Sequence, residues 1–260
     1  MKSQQAAAIS PVGAPLGQLG VEGGSGAMFD RIARRYDSLN RVLTFGIDQH
    51  WRKRAVTAMQ LRTGSHVLDL ATGTADLAIM LAQRQPDCTV IGLDVSAGML
   101  AVGQQKVLQQ ALAGQVTLQI GDAQVLPFEA GTFDAISMAF GIRNVPDRAA
   151  ALREMARVVR PQGRVVILEA SEPTGGVLGP FARFYLHAIV PRIGALLSGS
   201  PNEYRYLQES IADFPTPAQF AQKMREAGLV IVDVVPMMFG VAHLYIATAA
   251  TASLPIARTA

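Results

Sequence analysis

The chain has 260 residues but only one cysteine and four histidines. Cys88 alone cannot form an internal disulfide, so a reducing cytoplasm is the simplest location. The spacings typical of metal ligands do not occur among the histidines, which are His50, His66, His187 and His243. A disulfide scaffold is therefore excluded, and no metal centre is expected.

Long apolar runs and clusters of one charge are also lacking. No uninterrupted apolar run reaches the roughly 18 residues that a membrane-spanning helix needs. The 23 basic and 20 acidic residues give a net charge of only +3, and the basic ones form no long run, which disfavours a nucleic-acid surface. Apolar residues make up 50% of the chain and charged ones 17%, as expected for one large α/β domain around a buried parallel sheet.

The composition divides the chain into one domain and two tails. Residues 1–27 are rich in Ala, Gly, Gln and Pro and contain few groups to bury, which predicts a disordered tail. The domain is predicted to span residues 28–250, and a flexible tail follows at residues 251–260. The first part of the domain, residues 28–60, precedes the first strand. It is either a helical lid over the ligand-binding edge of the sheet or a packing extension.

Local signals place several helix ends. Apolar residues at helical spacing predict a helix over residues 28–37, followed by a second segment over residues 38–44. Asp48 is predicted to cap the next helix, and Asp147 to cap the helix that precedes the fifth strand. Residues 161–163, a Pro-Gln-Gly sequence, are predicted to end that later helix.

The domain is organised around residues 67–76, where an apolar strand ends near Asp69 and meets a tight turn of small residues. Good helix formers follow at residues 77–81, so the stretch predicts a strand-turn-helix unit. Gly73 has no Cβ, and a ligand can therefore approach the backbone of the turn closely. Such a turn can also serve packing alone, so the neighbouring strands have to decide between the two interpretations.

Two further predicted strands lead to acids. Asp94 follows the strand at residues 89–93, about 20 residues after the turn, where an acid accepts hydrogen bonds from ribose hydroxyls. A third strand at residues 116–120 leads to Asp122, so Asp69, Asp94 and Asp122 are predicted along one edge of the sheet. Acids beside the turn disfavour a pyrophosphate. S-adenosylmethionine, which has no phosphate and a cationic amino-acid end, fits better than a dinucleotide.

The remaining strands complete the predicted fold. They are expected at residues 133–140, 164–168, 229–235 and 241–247. The last two are joined by a link so short that they must be antiparallel neighbours. The pattern predicts an α/β, Rossmann-like sheet, mostly parallel with an antiparallel last strand. A helical insertion at residues 172–215, with an apolar helix at 181–190, either forms an apolar substrate pocket or completes the core.

Several motifs occur together in one order. They are Met28-Phe29-Asp30, Tyr36-Asp37-Ser38-Leu39-Asn40, Leu43-Thr44-Phe45-Gly46-Ile47-Asp48 with Trp51, residues 68–76, Leu126-Pro127-Phe128, Phe140-Gly141-Ile142-Arg143-Asn144-Val145, Pro191-Arg192-Ile193-Gly194, Tyr204-Arg205-Tyr206-Leu207 and Glu209-Ser210-Ile211. Through these pieces, residues 28–248 resemble the ubiquinone/menaquinone biosynthesis C-methyltransferases, which are class I S-adenosylmethionine-dependent methyltransferases. The resemblance implies a seven-stranded sheet of that class.

The sequence departs from the family pattern at four positions. Ala71 and Ala75 stand where the turn usually has glycines, which leaves Gly73 for the closest backbone approach. Asp122 stands where Asn is common, and its carboxylate can still accept a hydrogen bond from the adenine amino group. Ala139 replaces a common Ser and has no hydroxyl, so no side-chain contact with the cofactor is expected there.

The implied reaction is methylation of a ring carbon of a polyprenylated quinol, without a metal. The quinol would be demethylmenaquinol, a methoxy-polyprenyl-benzoquinol of ubiquinone biosynthesis, or both. A phenolate raises the electron density of its neighbouring ring carbon, which attacks the sulfonium methyl in line before the carbon loses its proton. Because the sulfonium already activates the methyl, the protein mainly aligns the partners and helps to form the phenolate.

The resemblance also implies which residues form the site. The expected cofactor-binding residues are Asp69, Gly73, Thr74, Asp94, Asp122 and Ala123. The expected catalytic residues are Arg143 and Asn144, which would stabilise the quinolate oxygen, together with Tyr36 of the lid. Further substrate contacts are predicted at Asp37 and Asn40 in the lid and at Arg205 and Tyr206 in the insertion. For Arg143, the alternative is a structural salt bridge to Asp147 or Asp134.

The prenyl tail of the substrate predicts transient contact with the membrane surface, at the cytoplasmic face. A homodimer is compatible with the family, but these residues do not indicate an oligomeric state. Two other functions stay open. One is methylation of a different small molecule by the same fold, and the other is a non-catalytic protein that binds cofactor or quinone in a biosynthetic complex.

Overall fold

A computed structural model describes residues 26–173 and 201–250. The predicted tail at residues 251–260 lies outside the described residues, as does the predicted tail at 1–27 except for its last two residues. Most of the predicted insertion, including the apolar helix at residues 181–190, also lies outside them.

The described residues form helices and strands in alternation. The helices are α1 (Gly26–Leu43), α2 (Ile47–Ala58), α3 (Asp76–Arg84), α4 (Ala97–Gln109), α5 (Arg148–Val158), α6 (Pro201–Ala212) and α7 (Pro217–Glu226). The strands are β1 (His66–Leu70), β2 (Thr89–Asp94), β3 (Val116–Ile120), β4 (Phe133–Ala139), β5 (Val159–Ala170), β6 (Leu229–Met237) and β7 (Ala242–Ala249). A single 3-10 turn, Ile142–Asn144, lies between β4 and α5.

The strands form one seven-stranded sheet in the order β3-β2-β1-β4-β5-β7-β6. Strands β3, β2, β1, β4 and β5 are parallel, whereas β7 runs antiparallel to both β5 and β6. The predicted fold class is therefore confirmed, including the reversed last strand. Only four residues join β6 to β7, which is too short for the crossover that a parallel pair would need.

Both faces of the sheet are covered by helices, and β1 shows how its residues alternate between them. Val67 points into a cluster with Trp51 of α2, while Leu68 and Leu70 point into the opposite cluster with α5 and α7. All three residues are at most 1% exposed. Burial on both faces explains the nearly continuous apolar sequence of this strand and fixes its carboxyl end beneath the site.

The lid segment differs from its prediction in two ways. The two predicted pieces form one continuous helix, α1, since no helix-breaking residue separates them. Asp48 lies in the first turn of α2, whose cap is Gly46 with φ 73° and no side-chain hydrogen bond, so the predicted Asp48 cap is wrong. Instead, Asp48 is 3% exposed and accepts a hydrogen bond of 2.9 Å from the Thr44 hydroxyl.

Of the two predictions about the ends of α5, one is confirmed and one is wrong. Asp147 caps α5 as predicted, because its Oδ1 accepts a 2.9 Å hydrogen bond from the Ala150 amide. The Pro-Gln-Gly sequence at residues 161–163 does not separate helix from strand but lies within β5, which begins at Val159. There the register with β4 shifts, and Gln162 takes a left-handed backbone with φ 65°. None of the helices in the described part of the chain is long and apolar enough to span a membrane.

Candidate active site

A cavity of about 490 Å³ lies outside the carboxyl ends of β1 to β4. This is the edge at which open α/β sheets bind ligands. Its floor consists of residues at the end of each strand or directly after it, at 71–74, 93–95, 121–124 and 139–141. Phe29, Asp30 and Tyr36 of α1 form one wall, and Asn144 and Pro146 belong to another. The cavity therefore joins the predicted cofactor turn to the loop that carries the predicted catalytic residues.

The turn after β1 adopts left-handed backbone conformations at three alternate residues. The values of φ are 47° at Ala71, 57° at Gly73 and 64° at Ala75. At Gly73 a Cβ would meet no atom within 4 Å, so this glycine faces open space in the cavity. The methyl of Ala71 instead lies only 2.5 Å from the Cβ position of Gly141, which explains why residue 141 has no side chain. The alanines thus keep a glycine-like turn at the expense of local strain.

Asp69 does not line the cavity, in contrast to its predicted place on the ligand edge. Its carboxylate is 1% exposed and accepts hydrogen bonds from Thr72 Oγ1 at 2.7 Å and Ser137 Oγ at 2.6 Å. Burial raises the pKa of Asp69 to about 6, although both hydrogen bonds act in the opposite direction. Asp69 therefore supports the turn from below, because a side chain on a central strand is covered by the turn itself.

The other two predicted acids do line the cavity, and backbone amides fix their orientation. Asp94 accepts 2.8 Å hydrogen bonds from the amides of Gly73 and Ser96, one on each oxygen. Burial raises the pKa of Asp94, against these hydrogen bonds. Asp122 Oδ1 accepts a 2.9 Å bond from the amide of Gln124, and Ala123 lines the cavity beside it. Carboxylates held in this way can accept hydrogen bonds from ligand hydroxyl and amino groups.

Helix α1 is held over the cavity by Asp30, at the end of the helix near α4. Asp30 Oδ1 accepts hydrogen bonds from Ser96 Oγ at 2.5 Å and from the Gly98 amide at 2.8 Å. Asp30 therefore contacts the N-terminal turn of α4, where backbone amides favour a carboxylate. Tyr36 packs edge-on against Phe29 with ring centroids 6.1 Å apart, and both rings line the cavity.

Two predicted substrate contacts of α1, Asp37 and Asn40, do not line the cavity. Asp37 accepts a 2.6 Å hydrogen bond from the hydroxyl of Thr74, a cavity residue, and pairs with Lys106 at 2.8 Å. Lys106 also pairs with Asp76, so these four side chains tie α1 to α3 and α4. Asp37 therefore holds α1 in place, and the predicted substrate contacts of Asp37 and Asn40 stay predictions.

Arg143 is buried behind the cavity rather than lining it. Its side chain is 7% exposed, and Nη1 donates to Glu169 Oε1 at 2.6 Å and to the Phe140 carbonyl at 2.8 Å. Burial lowers the pKa of Arg143, but the charge of Glu169 and the nearby Tyr36 and Tyr206 outweigh burial and raise it. Among the described residues Arg143 is held by Glu169 and Phe140, and its direct contact with a substrate stays a prediction.

Neither predicted salt-bridge partner binds Arg143. Asp147 caps α5, and Asp134 pairs with Arg160. The actual partner is Glu169, which is fully buried at the end of β5 and also accepts the Arg143 amide at 3.1 Å. An acid near the end of a buried strand is the sequence signal that could have identified Glu169.

Asn144 lines the cavity and is held from the other side by α6. Its Oδ1 accepts a 3.1 Å hydrogen bond from the Tyr206 hydroxyl, so the insertion reaches the loop after β4. The side chain of Arg205 lies outside the described residues. The structure thus brings together Tyr36, Asn144 and, behind Asn144, Tyr206.

Sequence reasoning missed Arg52 of α2, which lines the cavity. Its guanidinium lies 5.3 Å from the centroid of the Phe140 ring, and the Trp51 ring lies 6.3 Å from the same centroid. Phe140 has a left-handed backbone with φ 59°, which directs the chain away from β4 and over the cavity. A cation in an amphipathic helix is usually exposed, so only the fold could reveal its position.

The three histidines in the described part of the chain, His50, His66 and His243, do not line the cavity. His50 and His66 are exposed, and His187 lies outside the described residues. His243 is buried with Nδ1 2.7 Å from Ser171 Oγ, and burial lowers its pKa. Within residues 26–173 and 201–250, no group of three metal-ligating side chains is found.

Comparison with known proteins finds close relatives along most of the chain. Residues 22–249 match the ubiE/COQ5 methyltransferase family. The chain is 42% identical over 219 residues to the ubiquinone/menaquinone biosynthesis C-methyltransferase UbiE of Geobacter sulfurreducens, covering 84% of this chain and 85% of the relative. It is 43% identical over 219 residues to the demethylmenaquinone methyltransferase of Thermus thermophilus, covering 84% and 98%.

Solved structures with similar folds are more distant in sequence. A SAM-dependent methyltransferase from Aquifex aeolicus matches with a TM-score of 0.56 at 18% identity, over 76% of this chain and 89% of the other. Geranyl diphosphate methyltransferase, solved with GPP and sinefungin, matches with a TM-score of 0.57 at 17% identity, over 77% and 78%. At these identities the likeness extends to the fold alone.

Proposed function

Because the chain belongs to the ubiE/COQ5 methyltransferase family, we propose that it is an S-adenosylmethionine-dependent C-methyltransferase of a polyprenylated quinol. The observation that carries the proposal is the combination of this family with relatives named for two pathways, menaquinone and ubiquinone biosynthesis. We place demethylmenaquinol first among the substrates, because several relatives are named demethylmenaquinone methyltransferases. A methoxy-polyprenyl-benzoquinol is the second candidate.

The residues of the cavity fit S-adenosylmethionine. Asp94 presents a carboxylate to ribose hydroxyls and Asp122 one to the adenine amino group, and both side chains line the cavity. The open space in front of Gly73 would accept the close approach of the ligand to the turn. When bound, the cofactor supplies a sulfonium methyl that is already electrophilic. Thr74 and Ala123 complete this half of the proposed site, and Asp69 acts only by supporting the turn.

The acceptor ring is proposed to lie beside Tyr36 and Asn144, which line the cavity on the side of α1 and of the loop after β4. Asn144 can hold a quinol oxygen through its amide while Tyr206 orients the amide from behind. Arg143 does not touch the ring in this proposal. Its positive charge, held by Glu169, keeps the loop in place and favours a negative charge on a nearby quinolate.

The proposed reaction balances without a redox partner. A quinol hydroxyl loses its proton to water, and the ring carbon next to it forms a bond with the methyl carbon. The bond between that methyl and sulfur breaks, and its electron pair stays on sulfur as a neutral thioether. The methylated ring carbon then loses its hydrogen as a proton to water, which restores the aromatic ring.

The test is transfer of labelled methyl from S-adenosylmethionine to demethylmenaquinol and, in parallel, to the demethylated benzoquinol, both in detergent. We expect label in the naphthoquinol product. Label in the benzoquinol alone would reverse the order of the two substrates. If protein that binds the cofactor labels neither ring, the quinol assignment is wrong, and another small molecule or a non-catalytic role has to be considered.

We also propose transient contact with a membrane surface through α1, because the prenyl tail of the substrate cannot dissolve in water. Apolar side chains are exposed near the end of this helix, with Val42 47% and Phe45 72% exposed. Among the side chains of this helix that the structure describes, the exposed cations are Arg31, Arg35 and Arg41. Asp30 is its one exposed carboxylate among the described side chains, so the surface suits anionic lipids.

Vesicle flotation tests this contact. Phe45→Ser should weaken binding to vesicles that contain anionic lipid, whereas Val232→Ser should not, although Val232 is a 53% exposed apolar residue on β6. Equal effects of the two substitutions would contradict the role of α1. A cytoplasmic location and a homodimer stay predictions, and light scattering of the purified protein tests the second.

A further inference from the structure

Arg52 is a buried cation whose guanidinium makes no hydrogen bond within the described part of the chain. The residue is 7% exposed, and its Nε is a buried donor that finds no partner there. Arg52 forms an ion pair with the buried Asp48, but the 3.7 Å between Nε and Oδ2 is too long for a hydrogen bond. Asp48 already accepts hydrogen bonds from the Thr44 hydroxyl at 2.9 Å and from the side-chain amide of Gln49 at 3.1 Å.

An arrangement of this kind is unfavourable unless something else satisfies the guanidinium. A buried charged group whose N–H donors make no hydrogen bonds lowers the stability of the folded protein. The Phe140 ring supports the guanidinium at 5.3 Å, but an aromatic face cannot replace hydrogen-bond acceptors. Since Arg52 lines the cavity, a ligand in the cavity can supply the missing acceptors.

The charge of the cavity indicates which kind of ligand group this is. Arg52 is the only cationic side chain among the described lining residues. The lining carboxylates are Asp30, Asp76, Asp94 and Asp122. Among the lining side chains, Arg52 alone offers a positive charge to an anionic group of a ligand, and a carboxylate matches the planar fork of a guanidinium.

The position of Arg52 along the sheet selects one end of the ligand. Asp122 follows β3 and Asp94 ends β2, whereas Phe140, under Arg52, follows β4. Arg52 is also close enough to Asp69 of β1 to act on its pKa. A cofactor with its adenine at Asp122 and its ribose at Asp94 would extend along the edge toward β1 and β4. Its amino-acid end would then lie beside Arg52.

We propose that Arg52 binds the α-carboxylate of S-adenosylmethionine through its guanidinium. This inference rests on the proposed cofactor and adds a residue to its binding site. It accounts for the Arg52 Nε that makes no hydrogen bond among the described residues, for the position of the guanidinium over the Phe140 ring and for the excess of acids in the rest of the cavity. The acids suit the hydroxyl, amino and sulfonium groups of the ligand, and Arg52 suits its one anionic group.

The experiment is calorimetric binding of two ligands in the absence of quinol. One is S-adenosylmethionine and the other is decarboxylated S-adenosylmethionine, which differs only in the missing carboxylate. The variants are Arg52→Gln, Arg52→Lys and, as a matched control on the same helix, Arg54→Gln, since Arg54 is exposed and does not line the cavity. Thermal melting without ligand shows which variants are folded.

We expect Arg52→Gln to weaken binding of S-adenosylmethionine by about 10- to 100-fold, as for the loss of a charge-assisted hydrogen-bonded pair. Binding of the decarboxylated ligand should change by less than about threefold, because it has no group for Arg52 to hold. Arg54→Gln should leave both affinities unchanged. Arg52→Lys keeps the charge but not the fork, so its loss of affinity should be smaller than that of Arg52→Gln.

Equal weakening of both ligands in Arg52→Gln would overturn the proposal, since it would indicate a general effect on the cavity. Unchanged cofactor affinity with an increased KM for quinol would also overturn it and assign Arg52 to the acceptor. If Arg52→Gln does not fold, the ratio of the two affinities in Arg52→Lys decides, and a ratio equal to that of wild type contradicts the proposal. Wild-type protein that binds neither ligand would refute the proposed cofactor itself.

Discussion

The two halves of the cavity hold their charged side chains in different ways. Over β2 and β3, Asp94 and Asp122 are held by backbone amides and face the cavity. Over β1 and β4 lie two guanidiniums, with Arg143 paired to Glu169 behind the wall and Arg52 lining the cavity without a hydrogen-bond partner among the described residues. The lining carboxylate on this side, Asp76, is paired with Lys106. We refer to these as the acid half and the arginine half.

The difference has a consequence for how each half can be altered. In the acid half, nearby amides orient the carboxylates: the backbone amides of Gly73 and Ser96 hold Asp94, and the backbone and side-chain amides of Gln124 hold Asp122. In the arginine half, Arg143 depends on the distant Glu169, whereas Arg52 has an ion pair with Asp48 on its own helix and, in our proposal, a ligand carboxylate as its hydrogen-bond acceptor. Substitutions in the arginine half should therefore affect folding more strongly, and those in the acid half should mainly affect ligand affinity.

The largest effect is expected from Glu169→Gln in the arginine half. Arg143 would keep its charge in a buried position while its partner lost its own, so the free energy of unfolding should fall by about 3–5 kcal/mol. Urea denaturation measures the change. Arg160→Gln is the control, because it breaks an exposed pair with Asp134 and should cost less than about 1 kcal/mol. A similar small loss in both variants would remove the contrast between the halves.

Asp69, below the boundary of the two halves, should make stability depend on pH. The pKa of Asp69 is about 6 in the folded protein against an ordinary value of 3.8, so between these values the folded state binds more protons than the unfolded state. The contribution of Asp69 to stability is therefore greatest below about pH 4 and decreases as pH rises to about 6, by on the order of 2–3 kcal/mol. Denaturation at a series of pH values should show a smaller decrease in Asp69→Asn, and equal pH slopes would contradict the assignment.

In the acid half, Asp94→Asn should weaken S-adenosylmethionine binding by about 10- to 100-fold. The new side-chain NH2 would face one of the two backbone amides that now donate to Asp94, and the negative charge toward the ribose would be lost. Asp122→Asn is the matched control, since the amide oxygen of Asn can still accept a hydrogen bond, and its effect should stay within about threefold. Calorimetry measures both, and losses of the same size would argue against distinct roles for the two acids.

The smallest effect is expected at the turn between the halves. Ala71→Gly removes a side chain from a residue with φ 47° and should raise the free energy of unfolding by about 1 kcal/mol. Gly141→Ala should be tolerated better in the Ala71→Gly background, because the methyl of Ala71 is the atom 2.5 Å from the new Cβ. Thermal melting of the single and double variants checks both statements, and additive effects would refute the contact.

The sequence alone predicts those features of the fold that are determined by residues adjacent in the chain. The bounds of β3, the cap at Asp147 and the turn around Gly73 each follow from short stretches with a clear physical signal. The same reasoning places Asp94 and Asp122 at the ligand edge, since a strand that ends in an acid brings it to that edge.

The arginine half is built from partners that are distant in sequence. Glu169 is 26 residues from Arg143, and Tyr206 is 62 residues from Asn144. Asp37, expected at the substrate, instead meets Lys106, 69 residues away. No local pattern specifies such pairs, because they form only when the sheet and its helices are in place. Asp69 shows the same limit, since the strand predicts its position but not that its own turn would cover it.

The central claim is that one cavity brings the sulfonium methyl and a quinol ring carbon together. The most direct measurement is mass spectrometry of the product after a single turnover with S-adenosylmethionine that carries a deuterated methyl. Our account predicts that all of the label is on a ring carbon of demethylmenaquinol and that none is on oxygen. Label on a quinol oxygen, or a product without label from protein that binds both substrates, would contradict it.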